Sequence, residues 1–293
     1  MNEHPQHAQL RVLKADGEED FFDPLKLEES LMRAGAGEHT AHRITEMVSR
    51  NVFHGIRTVD IYRRAFVLLR KEERSAAARY SLRRALLEFG PTGHPFEDYV
   101  TRIFTKDGWM VAPRKVLKGK CVEHEVDIYG TRGAETMAAE LKYHNDPAYK
   151  TDVKTVLYIK ARLDDIWQCD PTKETCPIDR SFLITNTKFT SQAIAYGSCA
   201  RIELVSWNYP AKGNLFDLIV STGVYPITAL TSLKKSEKKL LIDRGIVSCD
   251  ALEQERGALR EILFTPDRVG DVLTESAGLC ASAPEGVRGT FHT

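Results

Sequence analysis

The chain has 293 residues, enough for two domains and a small third, each able to bury a core. Its 41 Lys and Arg residues balance 41 Asp and Glu residues, so bulk charge gives no sign of a nucleic-acid partner and any DNA surface must come from local basic patches. No apolar run approaches a membrane span and the polar start MNEHPQHAQ lacks a signal-peptide core, so a cytoplasmic protein without a membrane partner is expected.

Leu10 to Lys14 reads as a strand, Asp16-Gly17 as its turn and Phe21-Phe22 as the start of the return. Asp23-Pro24 then opens a helix as cap and first-turn proline, with Leu27, Leu31 and Ala34 at helical spacing. Further helices are expected over Thr40 to Phe53, Thr58 through Leu69 and Ser75 to Phe89. This mainly helical domain spans residues 1–90. The segments RVLKADGEEDFFDPLKLEESL, TVDIYRRAFVLL and AAARYSLRRAL resemble the ATP-cone, a regulatory nucleotide-binding domain. The resemblance implies ATP or dATP as a regulatory ligand, with Lys14 and Lys26 on its phosphates and Gly17 in the nucleotide-binding turn. Ala15 stands where the family has Arg, and without the resemblance Lys14 and Lys26 are surface lysines on a cone used for packing. No GxxxxGK[ST] is present, so such a domain is expected to sense nucleotide rather than hydrolyse it.

Gly90-Pro91-Thr92-Gly93-His94-Pro95 is a cluster of helix breakers and reads as a linker. In CVEHEVDIYGTRGAETMAAELKYH, Val122, His124, Val126 and Ile128 alternate with Glu123, Glu125, Asp127 and Tyr129, the period of a half-buried strand. Gly130 to Gly133 is turn material, and in the return strand Glu140 and Lys142 point away from Met137, Ala139 and Leu141. Paired as a hairpin, the strands bring Asp127, Glu140 and Lys142 to one rim. Two carboxylates suit Mg²⁺ (or Mn²⁺), a hard cation that takes its remaining ligands from water and phosphate oxygens. Lys142 beside them would neutralise phosphate charge or orient an attacking water.

Asp127 with Glu140-Leu141-Lys142 resembles the PD-(D/E)xK nuclease superfamily. Upstream, GHPFEDYVTRIFTKDGWMV resembles the opening helix of its Mrr-like restriction endonucleases, and SFLITNTKFTSQAIAYG and RIELVSW resemble their later strands and helix. The resemblance implies an α/β fold, a mixed-sheet restriction-endonuclease-like core flanked by helices over residues 95–222, with Asp127 and Glu140 as metal ligands, Lys142 as a catalytic lysine and Glu97 assisting. Glu97 is equally a first-turn acid at a helix N-terminus. Glu125 is a second ligand or a solvated acid, and His124 reads as a satisfied core histidine.

Asp146-Pro147 is expected to cap a helix through about Asp165 that carries Lys150, Lys154 and Lys160 toward DNA phosphates or solvent. A loop follows over Asp164 to Arg180. The 6 cysteines show no CxxC spacing, and no zinc site is expected at Cys169 and Cys176. Ser181 to Thr185 is a buried strand, Thr190 a helix cap and Ile202 to Trp207 a closing strand. Residues 226–265, containing ITALTSLKKSEKKLLIDRGIVSCDAL, resemble a helix-hairpin-helix DNA-contact module with Gly245 in its turn and Lys234 and Lys238 among its basic residues. The Gly-, Ala-, Ser- and Pro-rich residues 276–293 are expected to be disordered.

These readings converge on a Mg²⁺-dependent DNA endonuclease regulated by nucleotide. A homo-oligomer is a further expectation, since a double-strand cut in one visit needs two sites. The alternatives are a non-catalytic, nucleotide-responsive DNA-binding regulator and an RNA-processing nuclease.

Overall fold

The computed structural model describes residues 10–168 and 178–281. It divides into two compact units between Ser81 and Leu82. The first contains β1 (Arg11–Leu13), β2 (Glu19–Phe21), α1 (Pro24–Arg33), α2 (Glu38–Ser49), β3 (Ile56–Arg57), α3 (Thr58–Glu72) and α4 (Arg74–Tyr80). The strands order as β2-β1-β3, antiparallel and then parallel. At the β1–β2 turn the Gly17 amide donates to the Lys14 carbonyl at 3.1 Å and φ is +83°, a conformation that favours glycine. Asp23 caps α1 by accepting from the Leu25 amide at 3.0 Å. Leu31, Ile44, Ala65 and Leu69 close the core between α1, α2 and α3.

The single helix expected over Ser75 to Phe89 is two. Ser81 interrupts it, with its hydroxyl turned back on the Ala78 carbonyl, and α5 (Leu82–Leu87) follows in the second unit. The division therefore falls earlier than the sequence boundary at residue 90. β3 went unread because two residues carry no periodicity.

The second unit continues with α6 (His94–Lys106), β4 (Met110–Lys118), β5 (Glu123–Arg132), β6 (Glu135–Lys142), β7 (Lys150–Thr151), α7 (Val153–Trp167), β8 (Arg180–Thr185), β9 (Lys188–Phe189), α8 (Ser191–Cys199), β10 (Glu203–Val205) and α9 (Leu215–Thr222). Its main sheet is mixed, in the order β10-β8-β6-β5-β4: β4, β5 and β6 form an antiparallel meander, and β8 and β10 run parallel to β6. Phe182 of β8 meets Phe104 of α6, whereas the next residue, Leu183, joins the cluster made with Val156, Ile159 and Leu163 of α7. Successive strand residues face opposite ways, so helices cover both faces and the fold is α/β. β6 is central and is buried from Met137 to Leu141, which explains its nearly continuous apolar run.

Two expected boundaries move. The helix after the meander starts at Val153, with Asp152 accepting from the Thr155 amide at 3.2 Å. Asp146 instead closes a turn by accepting from the Ala148 amide, and Lys150 lies in β7, paired with β9, rather than on a helix. Cys169 and Cys176, and most of the loop expected around them, lie outside the described residues.

After α9 come two 3₁₀ turns, Ile227–Ala229 and Cys249–Ala251, each leading toward a helix, α10 (Lys235–Asp243) or α11 (Arg256–Leu263), and then α12 (Pro266–Ala281). The two turn-helix halves exchange backbone bonds: the Ile227 amide donates to Val247 and the Cys249 amide to Tyr225, at 3.1 and 2.7 Å. Gly245 sits between them at φ +77°. This segment belongs to the second unit, tied to α6 by Tyr99 donating to the Val224 carbonyl at 2.6 Å and by the Arg102–Asp250 ion pair. α12 corrects the expected disorder from residue 276: Ser276 donates to the Cys249 carbonyl at 3.0 Å and Leu279 is fully buried. Residues 282–293 lie outside the described part.

Candidate active site

The β5–β6 ladder ends at Ile128 opposite Ala139. Asp127 lies just beyond it, and its Oδ2 accepts the Leu141 amide at 2.6 Å, so a side chain replaces the next ladder bond. Asp127 is half-buried, and its carboxyl is pushed up to about 6 by burial first and then by the negative charge of Glu140; the Leu141 amide and Lys142 oppose the shift, and Glu97 adds to it. Contacts thus join Asp127 to the Leu141 amide and Lys142 to Glu140, while Glu97 reaches Asp127 only as a weaker, more distant charge.

Glu140 is buried at 8% exposure, and both its oxygens are engaged: Lys142 Nζ donates to Oε1 at 2.8 Å and Arg162 Nη1 to Oε2 at 2.7 Å. Glu97 lies in the first turn of α6, where Arg114 bridges it and Asp98 at 3.3 Å each. Arg114 has φ +50° and interrupts the β4–β5 ladder opposite Asp127. Glu125 is exposed, and its carbonyl receives Arg162 Nη2. His124 is paired with Asp165 at 2.8 Å; that carboxylate also accepts the Cys121 and Val122 amides and is held well below the usual range, chiefly by the His124 hydrogen bond.

The donor set fits a small divalent ion. Asp127 and Glu140 are adjacent hard-oxygen donors whose mutual repulsion a cation would relieve. Among the described residues no group of three or more His, Cys, Asp or Glu could hold a metal ion, so an ion here would have two protein carboxylates at most.

Arg162 and Arg114 escaped the sequence reading. A faint signal existed for Arg162, a charge placed between Ile159 and Leu163 of the buried stripe of α7. Nothing in the sequence marks Arg114.

Of Lys150, Lys154, Lys234 and Lys238, all expected on DNA, three are exposed and one is not. Lys150 and Lys154 are exposed, on β7 and in the first turn of α7, and Lys234 is exposed at the start of α10. Lys238 is instead turned inward, donating to the Thr228 carbonyl at 2.6 Å, with its pKa lowered by burial. In the first unit Lys14 Nζ pairs with Asp20 at 2.9 Å, and Asp16 and Glu18 add negative charge around it. The Asp20 carboxyl is lowered chiefly by the Lys14 hydrogen bond, with a smaller charge contribution from Lys26, and Gly17 sits in the β1–β2 turn. No described helix is long and apolar enough to cross a membrane.

The profile of the AF1548-like C-terminal family matches residues 225–280. An uncharacterized protein of Archaeoglobus fulgidus is 32% identical over 178 residues, 60% of this chain and 97% of that protein. The crystal structure of AF1548, a protein of unknown function, is 29% identical and covers 67% of this chain and 98% of its own, with a TM-score of 0.51. The MspJI restriction endonuclease in complex with a 27-mer oligonucleotide is 14% identical over 71% of this chain and 36% of its own, with a TM-score of 0.32. With nearly the whole of a relative above 30% identity covered, and with its C-terminal segment matched, the chain belongs to the AF1548-like family.

Proposed function

We propose that this protein is a divalent-metal-dependent DNA endonuclease whose first unit binds a regulatory nucleotide. The observation that carries the reading is Asp127 bonded to the β6 backbone next to Glu140 and Lys142 where β5 and β6 part, with its carboxyl pushed up to about 6 by burial and by Glu140. A pure packing role gives no reason to bury two carboxylates beside each other. The order of Asp127 before Glu140-Leu141-Lys142 on an antiparallel hairpin, inside a mixed sheet with helices on both faces, supports the likeness to PD-(D/E)xK nucleases.

Asp127 and Glu140 would hold Mg²⁺ or Mn²⁺, which when bound clamps the scissile phosphate and acidifies the attacking water. Lys142, one residue beyond the buried stretch and 34% exposed in its side chain, would neutralise the phosphate. Glu97 would orient water from the helix side, held by Arg114. Lys150, Lys154 and Lys234 are the proposed backbone contacts. In the first unit, ATP or dATP phosphates would displace Asp20 from Lys14 and draw on Lys26 as a second cation. The occupation of both Glu140 oxygens by cations favours a second reading, a non-catalytic DNA-binding regulator, because an ion must compete for that carboxylate.

Plasmid cleavage in Mg²⁺ against EDTA, with DNA and RNA substrates, separates the readings. Cleavage of DNA by the wild type and its loss in Asp127→Ala support the endonuclease. Tight DNA binding without cleavage by either protein supports the regulator, and cleavage confined to RNA moves the activity to RNA processing.

A further inference from the structure

The Glu140 carboxyl group is bracketed by Lys142 and Arg162, whereas among the described residues Asp127 accepts the Leu141 amide and is paired with no cation. Of the two, Lys142 belongs to the proposed chemistry. Arg162 is the surplus. It comes from the middle of α7, whose Ile159, Leu163 and Ile166 are packed under the sheet, and its side chain is 14% exposed. Its second amino group reaches the Glu125 carbonyl, and its guanidinium lies 5.5 Å from the Tyr158 ring centroid. A guanidinium at such depth is unfavourable without an anion.

An ion that takes Glu140 therefore strands Arg162 unless another anion arrives with it. The phosphodiester is that anion. Resting on the nuclease reading above, we infer that Arg162 is a displaceable counter-ion: it holds Glu140 Oε2 in the ion-free chain and moves to a phosphate oxygen of bound nucleic acid when a divalent cation claims the carboxylate. Metal and nucleic acid then bind interdependently, each making the other's site available. Arg162 is a positioning residue for Glu140 in one state and a phosphate ligand in the other. The planar fork suits both partners, since carboxylate and phosphate each accept a guanidinium through two oxygens.

The test is Mn²⁺ affinity followed by electron paramagnetic resonance in the full chain, alone and with a short duplex whose phosphorothioate linkages resist hydrolysis. In the wild type the duplex is expected to raise Mn²⁺ affinity by about tenfold or more. Arg162→Gln without duplex is expected to bind Mn²⁺ about tenfold more tightly than the wild type and to lose most of the duplex response. Arg162→Lys, which keeps the charge, restores weak binding without duplex; a residue needed only for folding would give weaker Mn²⁺ binding in both variants. Wild-type Mn²⁺ binding indifferent to duplex, or Arg162→Gln binding no tighter than the wild type, overturns the inference and leaves the nuclease reading standing. A wild type that binds no Mn²⁺ with or without duplex overturns both.

Discussion

Asp127 gives the site its pH dependence. Its carboxyl ionises near the ordinary 3.8 in the unfolded chain and at about 6 in the folded one, so the folded state holds more protons between those values. Stability conferred by this group is therefore full below pH 3.8 and falls as pH rises toward 6. In the ion-free protein Asp127→Asn is expected to remove that slope and to gain on the order of 1–2 kcal/mol at pH 7.5, the smaller figure reflecting partial solvent screening. Urea denaturation in EDTA at pH 5 and pH 7.5 checks it; a variant less stable than the wild type at the higher pH would contradict it. A metal binds only the ionised form, so Mn²⁺ affinity should rise through the pH range around 6 and level off above it. Calorimetric titration across that range would reveal a flat profile if Asp127 is not a ligand.

Among the secondary-structure elements, β5 and β6 were the most legible, because Val126 and Ile128 alternate with Asp127 and Tyr129 and the Gly130 to Gly133 stretch marks a turn region. The turn itself is shorter: β5 continues through Arg132, and Gly133 takes the positive φ. The start of α7 was misread for a physical reason. Asp146-Pro147 has the chemistry of a cap followed by a first-turn proline, but Asp146 spends its carboxylate on a local turn, and Thr151 is drawn into β7 by pairing with β9. Only tertiary pairing leaves Asp152 as the true cap. Asp152→Ala is therefore expected to cost about 1 kcal/mol, whereas Asp146→Ala should cost less. Equal losses in denaturant midpoints would contradict the assignment. Arg162 was hidden by the same kind of dependence: a helical arginine beside Lys160 reads as solvated until the fold sets Glu140 beneath it.

Across the whole molecule, the sequence divided the chain at the Gly90 to Pro95 breakers, but the units part at Ser81, where no glycine or proline signals a boundary. The segment matched by the AF1548-like C-terminal profile looked separable because of its lysines and Gly245; Tyr99, Arg102 and α12 instead fasten it into the second unit. The first unit keeps its own core, so its proposed nucleotide site is open to a separate test. dATP is expected to raise the melting temperature of the wild type, and Lys14→Ala combined with Lys26→Ala should abolish that rise while sparing Mg²⁺-dependent cleavage. An undiminished rise in the double variant would place the nucleotide elsewhere.

The central claim is that Asp127, Glu140 and Lys142 cut phosphodiester bonds rather than only hold DNA. Single-turnover cleavage of a labelled duplex in Mg²⁺, measured alongside duplex binding for the wild type and Lys142→Ala, addresses it most directly. The account predicts cleavage that EDTA abolishes, with a rate about 10²-fold or more lower in Lys142→Ala while its duplex affinity changes little. Cleavage by Lys142→Ala at the wild-type rate, or duplex binding by the wild type with no Mg²⁺-dependent cut, would contradict it.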